Sequence, residues 1–192
     1  EELRAFIDEL PAGCVLLLDE AYVDFAPAEV LLPLDTTRAP VVRLRTFSKA
    51  HGMAGARIGY ALAHREVVAA LDKVRNHFGV NRIAQAGALA SLADEEFVRG
   101  VVRQGEEGKR EYAALAAELG LGTVPSATNF IALDLGDGDR ARGLLQALLQ
   151  RDVFVRMPGV APLDRCIRLT VGPAEERVAF AAVLRDVLPE VG

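Results

Sequence analysis

Asp19 closes the apolar run Val15 to Leu18, and Lys49 follows Ser48 in the stretch TFSKAHGMAGARIGY, residues 46–60. An acid delivered by an apolar strand to that strand's C-terminal end sits where open α/β sheets bind ligands. It calls for a positive partner there, because an unpaired charge removed from water is costly. A second strand, VVRLRTF at 41–47, brings Thr46, Ser48 and Lys49 to the same sheet edge. Arg57 lies beyond them, across a loop that holds Gly52 and Gly55. Hydroxyls and a guanidinium beside a glycine-containing turn suit a phosphate, since arginine forks onto two oxygens and small residues let the backbone approach. A lysine at such a site becomes a nucleophile toward an aldehyde once it is desolvated and close to other cations. The plainer reading of Asp19 is a polar residue that ends a strand. A rival reading takes LLLDE as the magnesium-binding strand of a P-loop ATPase. That reading requires GxxxxGK[ST], and GEEGKR at 105–110 has neither the spacing nor a hydroxyl after Lys109.

A phosphate, an aldehyde and a ring nitrogen that calls for a carboxylate together describe pyridoxal 5'-phosphate. The paired stretches DEAYVDF at 19–25 and TFSKAHGMAGARIGY resemble the fold-type I aminotransferases, and within them the histidinol-phosphate aminotransferase group. The likeness continues through CIRLTVG at 166–172. It implies that Lys49 forms the Schiff base with the cofactor and later shuttles the proton. It implies further that Asp19 pairs with the pyridine nitrogen, and that Tyr22 bonds to the ring's phenolic oxygen. Ser48 and Arg57 would hold the phosphate, supported by Thr46. By the same resemblance Arg168 holds the substrate α-carboxylate, and Arg156 in VFVRMPG makes a second substrate contact. Read from its strand alone, Arg168 is an outward-facing surface arginine. Asn129 reads as a turn or cap residue as readily as a lining one. His51 stands where the family often has an aromatic residue and is given no role. HFGVN at 77–81 is a candidate subunit boundary.

The activity so implied is transamination between an L-amino acid or histidinol phosphate and a 2-oxo acid, in a homodimer. Two alternatives share the motifs: decarboxylation of an amino-acid phosphate, and an aminotransferase-like domain of a transcriptional regulator. The resemblance also places upstream of residue 1 a phosphate-binding glycine loop, an aromatic ring stacked on the cofactor and an asparagine in an NPTG-like turn. The chain is therefore expected to be the C-terminal portion of a longer enzyme, binding cofactor poorly alone.

The elements that position these residues read as α/β. EELRAFIDEL carries Leu3, Phe6, Ile7 and Leu10 at helical spacing, and CVLLL at 14–18 reads as a strand buried on both faces, as in a parallel sheet. Strands are expected at 41–47 and 55–63, and helices at 65–78 and 81–93. A long helix over 94–120 is expected to bridge two domains. Beyond it come strands at 130–135, 153–157 and 166–172, with helices at 139–151 and 174–188. The predicted organisation is residues 1–105 as part of a large cofactor-binding domain, a mostly parallel sheet flanked by helices. Residues 106–192 follow as a small α+β domain.

Composition narrows the classes. A net charge of -5 argues against nucleic-acid binding, because no basic stripe is present to replace phosphate counterions. No apolar run approaches the roughly 20 residues that span a bilayer. Cys14 and Cys166 lie far apart, Cys14 is expected to be buried, and a reducing cytoplasm is the expected compartment. His51, His64 and His77 lack metal-ligand spacing, so no metal site is expected.

Overall fold

The computed structural model describes residues 2–191 apart from 34, 36 and 38–40. The chain divides into two compact units, Glu1–Arg99 and Gly100–Gly192. The first contains α1 (Glu2–Asp8), β1 (Leu16–Asp19), β2 (Val41–Thr46), β3 (Gly59–Leu62), α2 (Arg65–Asp72) and α3 (Arg82–Ala93). Helix α4 (Glu95–Glu118) carries the chain across the division. The second unit adds β4 (Gly122–Val124), β5 (Phe130–Asp134), α5 (Gly138–Leu149), β6 (Cys166–Thr170) and α6 (Ala174–Val187).

In the first unit β1 pairs parallel with β2, and Asp19 sits opposite Leu44. β3 returns antiparallel along β2, with Gly59 opposite Thr46. The two directions matter together. The ends of β1 and β2 and the start of β3 all lie at one edge, so Asp19, Lys49 and Arg57 leave the sheet on the same side.

The sequence reading is corrected here in four places. Cys14 is exposed, because it belongs to a turn rather than a strand: its amide donates to Pro11 O at 3.1 Å, beside Gly13 at φ 84°. β1 is not covered on both faces, since Val15 and Leu17 are exposed. Residues 55–58 are not strand. A 3-10 turn at Ala54–Ala56 leads into Arg57 at φ 53°, and the strand starts at Gly59. The helix expected over 65–78 stops at Asp72, and a separate turn follows in which Asn76 Oδ1 accepts the Phe78 amide at 3.1 Å.

The second unit packs α4, α5 and α6 against the antiparallel sheet β4–β5–β6. Strand alternation sends Ile131, Leu133, Ile167 and Leu169 inward, where they meet Leu144 and Leu148 of α5 and Leu184 and Val187 of α6. Each such leucine contributes about 1.5–3 kcal/mol by leaving water. Asp137 starts α5 by accepting the amides of Asp139 and Arg140 at 2.9 Å, the usual cap chemistry. The strand expected at 153–157 is reduced to one bridge, Arg156 with Arg168. Only that residue keeps ladder hydrogen bonds, because Asp152 at φ 59° and the Pro158–Gly159 turn bend the chain away on either side.

Candidate active site

Phe47 and Ala50 are buried on either side of Ser48–Lys49 and pin the loop to the first unit. The loop closes on itself through Met53 N to Phe47 O at 2.8 Å, Phe47 N to Ile58 O at 3.2 Å and Gly52 N to Lys49 O at 2.9 Å. Gly52 at φ 68° takes the left-handed conformation that turns the chain so that the Met53 amide reaches Phe47 O. His51 extends the anchoring to α3, with Nδ1 2.7 Å from Ser91 Oγ, and its ring lies 4.8 Å from that of Phe47. A lysine is thereby held on a short stiff turn whose backbone is fixed at several points.

Asp19, Thr46, Ser48, Lys49 and Arg57 line one recess of about 350 Å³. Asp19 Oδ1 accepts the Ala21 amide at 2.9 Å, which sets the direction of its carboxylate. Thr46 Oγ1 accepts the Ser48 amide at 3.0 Å and so shapes the turn before the lysine. Lys49 Nζ lies 5.2 Å from the centroid of the Tyr22 ring, within cation–π range. Arg57 is exposed and donates from Nη1 to Ala54 O at 2.8 Å. Gly59, opposite Thr46, has no room for a side chain: a Cβ there would stand 2.6 Å from Arg45 O. One recess thus gathers a carboxylate, a primary amine, two hydroxyls and two guanidiniums, those of Arg57 and Arg45. Such a set can hold a phosphate by Ser48 and Arg57 and offer an amine to an aldehyde.

Behind this edge lies a cluster that the sequence reading missed. Glu20 Oε1 accepts from Arg43 Nη2 at 2.6 Å and Nε at 2.9 Å, and its Oε2 accepts from Arg45 Nε at 2.9 Å. Arg43, only 4% exposed, also donates to the carbonyls of Leu32 and Pro33. Burial pushes the Glu20 carboxyl up, but the hydrogen bonds from Arg43 and Arg45 outweigh it and hold the group below the usual range. The signal was present in VVRLRT. Arginines two apart on a strand share a face, and a buried pair requires an acid.

The second unit holds a separate arginine pair. Arg156 and Arg168 exchange backbone hydrogen bonds of 3.2 and 2.5 Å, so their side chains stand on the same face of the sheet. Arg168 Cζ lies 4.8 Å from the centroid of Phe130. Phe130 is braced in turn, since its carbonyl accepts from Ser126 Oγ at 2.6 Å and Thr128 Oγ1 at 3.2 Å. The buried Lys109 donates to Ser126 O at 2.7 Å. Asn129 contributes its backbone carbonyl, which accepts from Val171 N at 2.9 Å. Both arginines border a cavity of about 540 Å³. Among the described residues no cluster of three His, Cys, Asp or Glu could hold a metal, and no helix is long and apolar enough to cross a membrane.

The profile of the family "Aminotransferase class I and II" matches residues 1–184, and the chain belongs to that family. Among curated proteins it is similar to a histidinol-phosphate aminotransferase of Bacillus pumilus, 38% identical over 97% of this chain and 52% of that protein. Among solved structures, a histidinol-phosphate aminotransferase of Sinorhizobium meliloti, described in complex with pyridoxal-5'-phosphate, superposes with a TM-score of 0.96. That match has 42% identity and covers 100% of this chain and 53% of that one. L-threonine-O-3-phosphate decarboxylase from Porphyromonas gingivalis matches with a TM-score of 0.79 at 26% identity, over 98% of this chain and 58% of that one. The chain spans about half the length of the curated relatives it matches.

Proposed function

We propose that the full-length protein is a pyridoxal 5'-phosphate-dependent aminotransferase, acting between an L-amino acid or histidinol phosphate and a 2-oxo acid. One observation carries the reading: three strand ends that are distant in sequence deliver Asp19, Lys49 and Arg57 into a single recess. The donor set fits the cofactor, which has an anionic phosphate, a basic ring nitrogen and an aldehyde. When bound, the cofactor supplies an electron sink for charge developing on the substrate's α-carbon. In this reading Asp19 holds a proton on the ring nitrogen, and Tyr22 hydrogen-bonds the phenolic oxygen. Ser48 and Arg57 grip the phosphate, with Thr46 shaping the turn that presents them. Lys49 Nζ would take the proton from the substrate's α-carbon and deliver it to the cofactor's former aldehyde carbon, on the far side of the amino nitrogen. Arg168 binds the α-carboxylate of the amino acid or 2-oxo acid, for which the planar fork of a guanidinium is suited, and Arg156 makes a second substrate contact. Residues 1–105 are then part of the cofactor-binding domain and 106–192 the small domain. The assembly is a homodimer, and the free thiols of Cys14 and Cys166 support a cytoplasmic location.

The likeness to the threonine-phosphate decarboxylase supports a second reading, loss of carbon dioxide from an amino-acid phosphate. Both are tested by incubating the full-length protein and its Lys49→Ala variant with histidinol phosphate and a 2-oxo acid, and separately with an amino-acid phosphate such as L-threonine O-3-phosphate. Transfer of the amino group by the wild type alone supports transamination. Release of carbon dioxide from the amino-acid phosphate, without amino transfer in the first mixture, replaces it with the second reading, and unimpaired turnover by Lys49→Ala overturns both.

A further inference from the structure

The acid that follows Asp19 does not enter the recess. Alternation along the strands puts Asp19, Leu44 and Thr46 on one face of the sheet and Glu20, Arg43 and Arg45 on the other. On that second face one carboxylate answers two guanidiniums. Its oxygens lie 2.6–2.9 Å from them, and the Glu20 side chain is 9% exposed. The Glu20 amide also extends the β1–β2 ladder by donating to Leu44 O at 2.8 Å. Glu20 therefore ties β1 to β2 twice, by backbone and by side chain, one residue from Asp19 on β1 and, through Arg43, Leu44 and Arg45, shortly before Lys49 on the chain that leaves β2.

We infer that Glu20 is a positioning residue for the cofactor site, bolting the two strand ends together and setting, from behind the sheet, the net charge that Asp19 and Lys49 experience. The inference rests on the cofactor reading above. The cluster of Glu20, Arg43 and Arg45 carries a net charge of one positive unit, and deleting the acid makes it two. Other groups face this cluster and are not altered by that change. Tyr60 of β3 hydrogen-bonds Arg45, and Arg4 of α1 and Asp35 border the same hollow as Arg43. Arg45 reaches from this cluster to the wall of the recess, where Asp19, Lys49 and Arg57 also stand, with Tyr22 beside Lys49. A positive charge added behind the sheet disfavours every protonated group at the recess. A charge removed favours them.

The test uses the full-length holoenzyme with Glu20→Gln, Arg45→Gln and the double variant. The readouts are the pH midpoint of the bound cofactor's visible absorbance and the dissociation constant of pyridoxal phosphate. Glu20→Gln is expected to lower the midpoint by about half a unit, the size of one charge acting through a screened, sheet-thick separation. It is also expected to weaken cofactor binding about tenfold. Arg45→Gln is expected to raise the midpoint by a similar amount, and the double variant to return near the wild-type value. A purely structural role would move both single variants the same way, and that result overturns the inference. So do midpoints that stay within a tenth of a unit of wild type. Should Glu20→Gln not fold, Arg43→Gln decides, because Arg43 pairs with Glu20 and does not line the recess: a raised midpoint supports the inference, and a lowered or unchanged one overturns it. A wild-type protein that shows no cofactor absorbance at all overturns the cofactor reading itself, and the inference with it.

Discussion

Gly59→Ala places one methyl group against backbone at the junction of β2 and β3. The new Cβ would lie 2.6 Å from Arg45 O, whereas ordinary contact begins at 3.4 Å, so the strands must part by 3.4 − 2.6 = 0.8 Å. The obstacle is a carbonyl in the middle of a ladder and cannot rotate away. Overpacking of this kind costs about 1–3 kcal/mol. The displacement falls between Thr46, which pairs with Gly59, and Arg57, two residues upstream. A shift approaching 1 Å at positioning residues costs on the order of 100-fold in rate. In the full-length protein we therefore expect denaturant unfolding to show the loss of stability, and kcat/KM at saturating cofactor to fall at least tenfold. Gly100→Ala serves as the contrast. It lies in α4 with only Arg103 Nη2 at 3.9 Å, and should stabilise by about 0.5–1 kcal/mol. Stability within about 0.5 kcal/mol of wild type and unaltered kcat/KM for Gly59→Ala would refute the close-approach argument.

Three other outcomes are expected. Leu144→Ala, at a side chain with no exposed surface in the core of the second unit, should cost about 2–5 kcal/mol in urea unfolding, and a midpoint equal to wild type would contradict the packing described. Glu20 titrates below its ordinary value in the folded protein. Its stabilising contribution is thus fully present above about pH 4.3 and is lost as pH falls from there through the lower folded value. The stability gap between wild type and Glu20→Gln should close over that window, and a gap constant down to pH 2 would show the sign to be wrong. Arg168→Ala should raise KM for the amino acid strongly while leaving the cofactor spectrum in place, and an unchanged KM would assign the carboxylate to another group.

Much of the first unit was legible because chemistry and pattern coincide there. An apolar strand ending in Asp19, and a hydroxyl–lysine pair ending the next strand, need only parallel pairing to meet, and the register supplies it. Arg57 required more. It reaches the same edge only because β3 runs antiparallel, and the turn before it was hidden among small residues that read as strand. The Glu20 cluster is not marked by local spacing, because its acid and its arginines meet only through the β1–β2 pairing, although the two arginines of VVRLRT announce a charged face. Cys14 misled because its apolar followers suggested a strand, while Pro11 and Gly13 had already committed it to a turn. In the second unit the helices followed from periodicity. The run VFVRM has strand composition but keeps only the Arg156 pairing, since the bends at Asp152 and Gly159 are backbone events that periodicity does not register.

The central claim is that one particular amine meets the cofactor's aldehyde. The chain has three lysines, Lys49, Lys73 and Lys109. Borohydride reduction of the full-length holoenzyme, followed by proteolysis and mass spectrometry, fixes any carbon–nitrogen double bond and identifies the residue that carries it. The account predicts a single pyridoxyl-phosphate adduct, on Lys49. An adduct on Lys73, on Lys109 or on no lysine of this chain would contradict it.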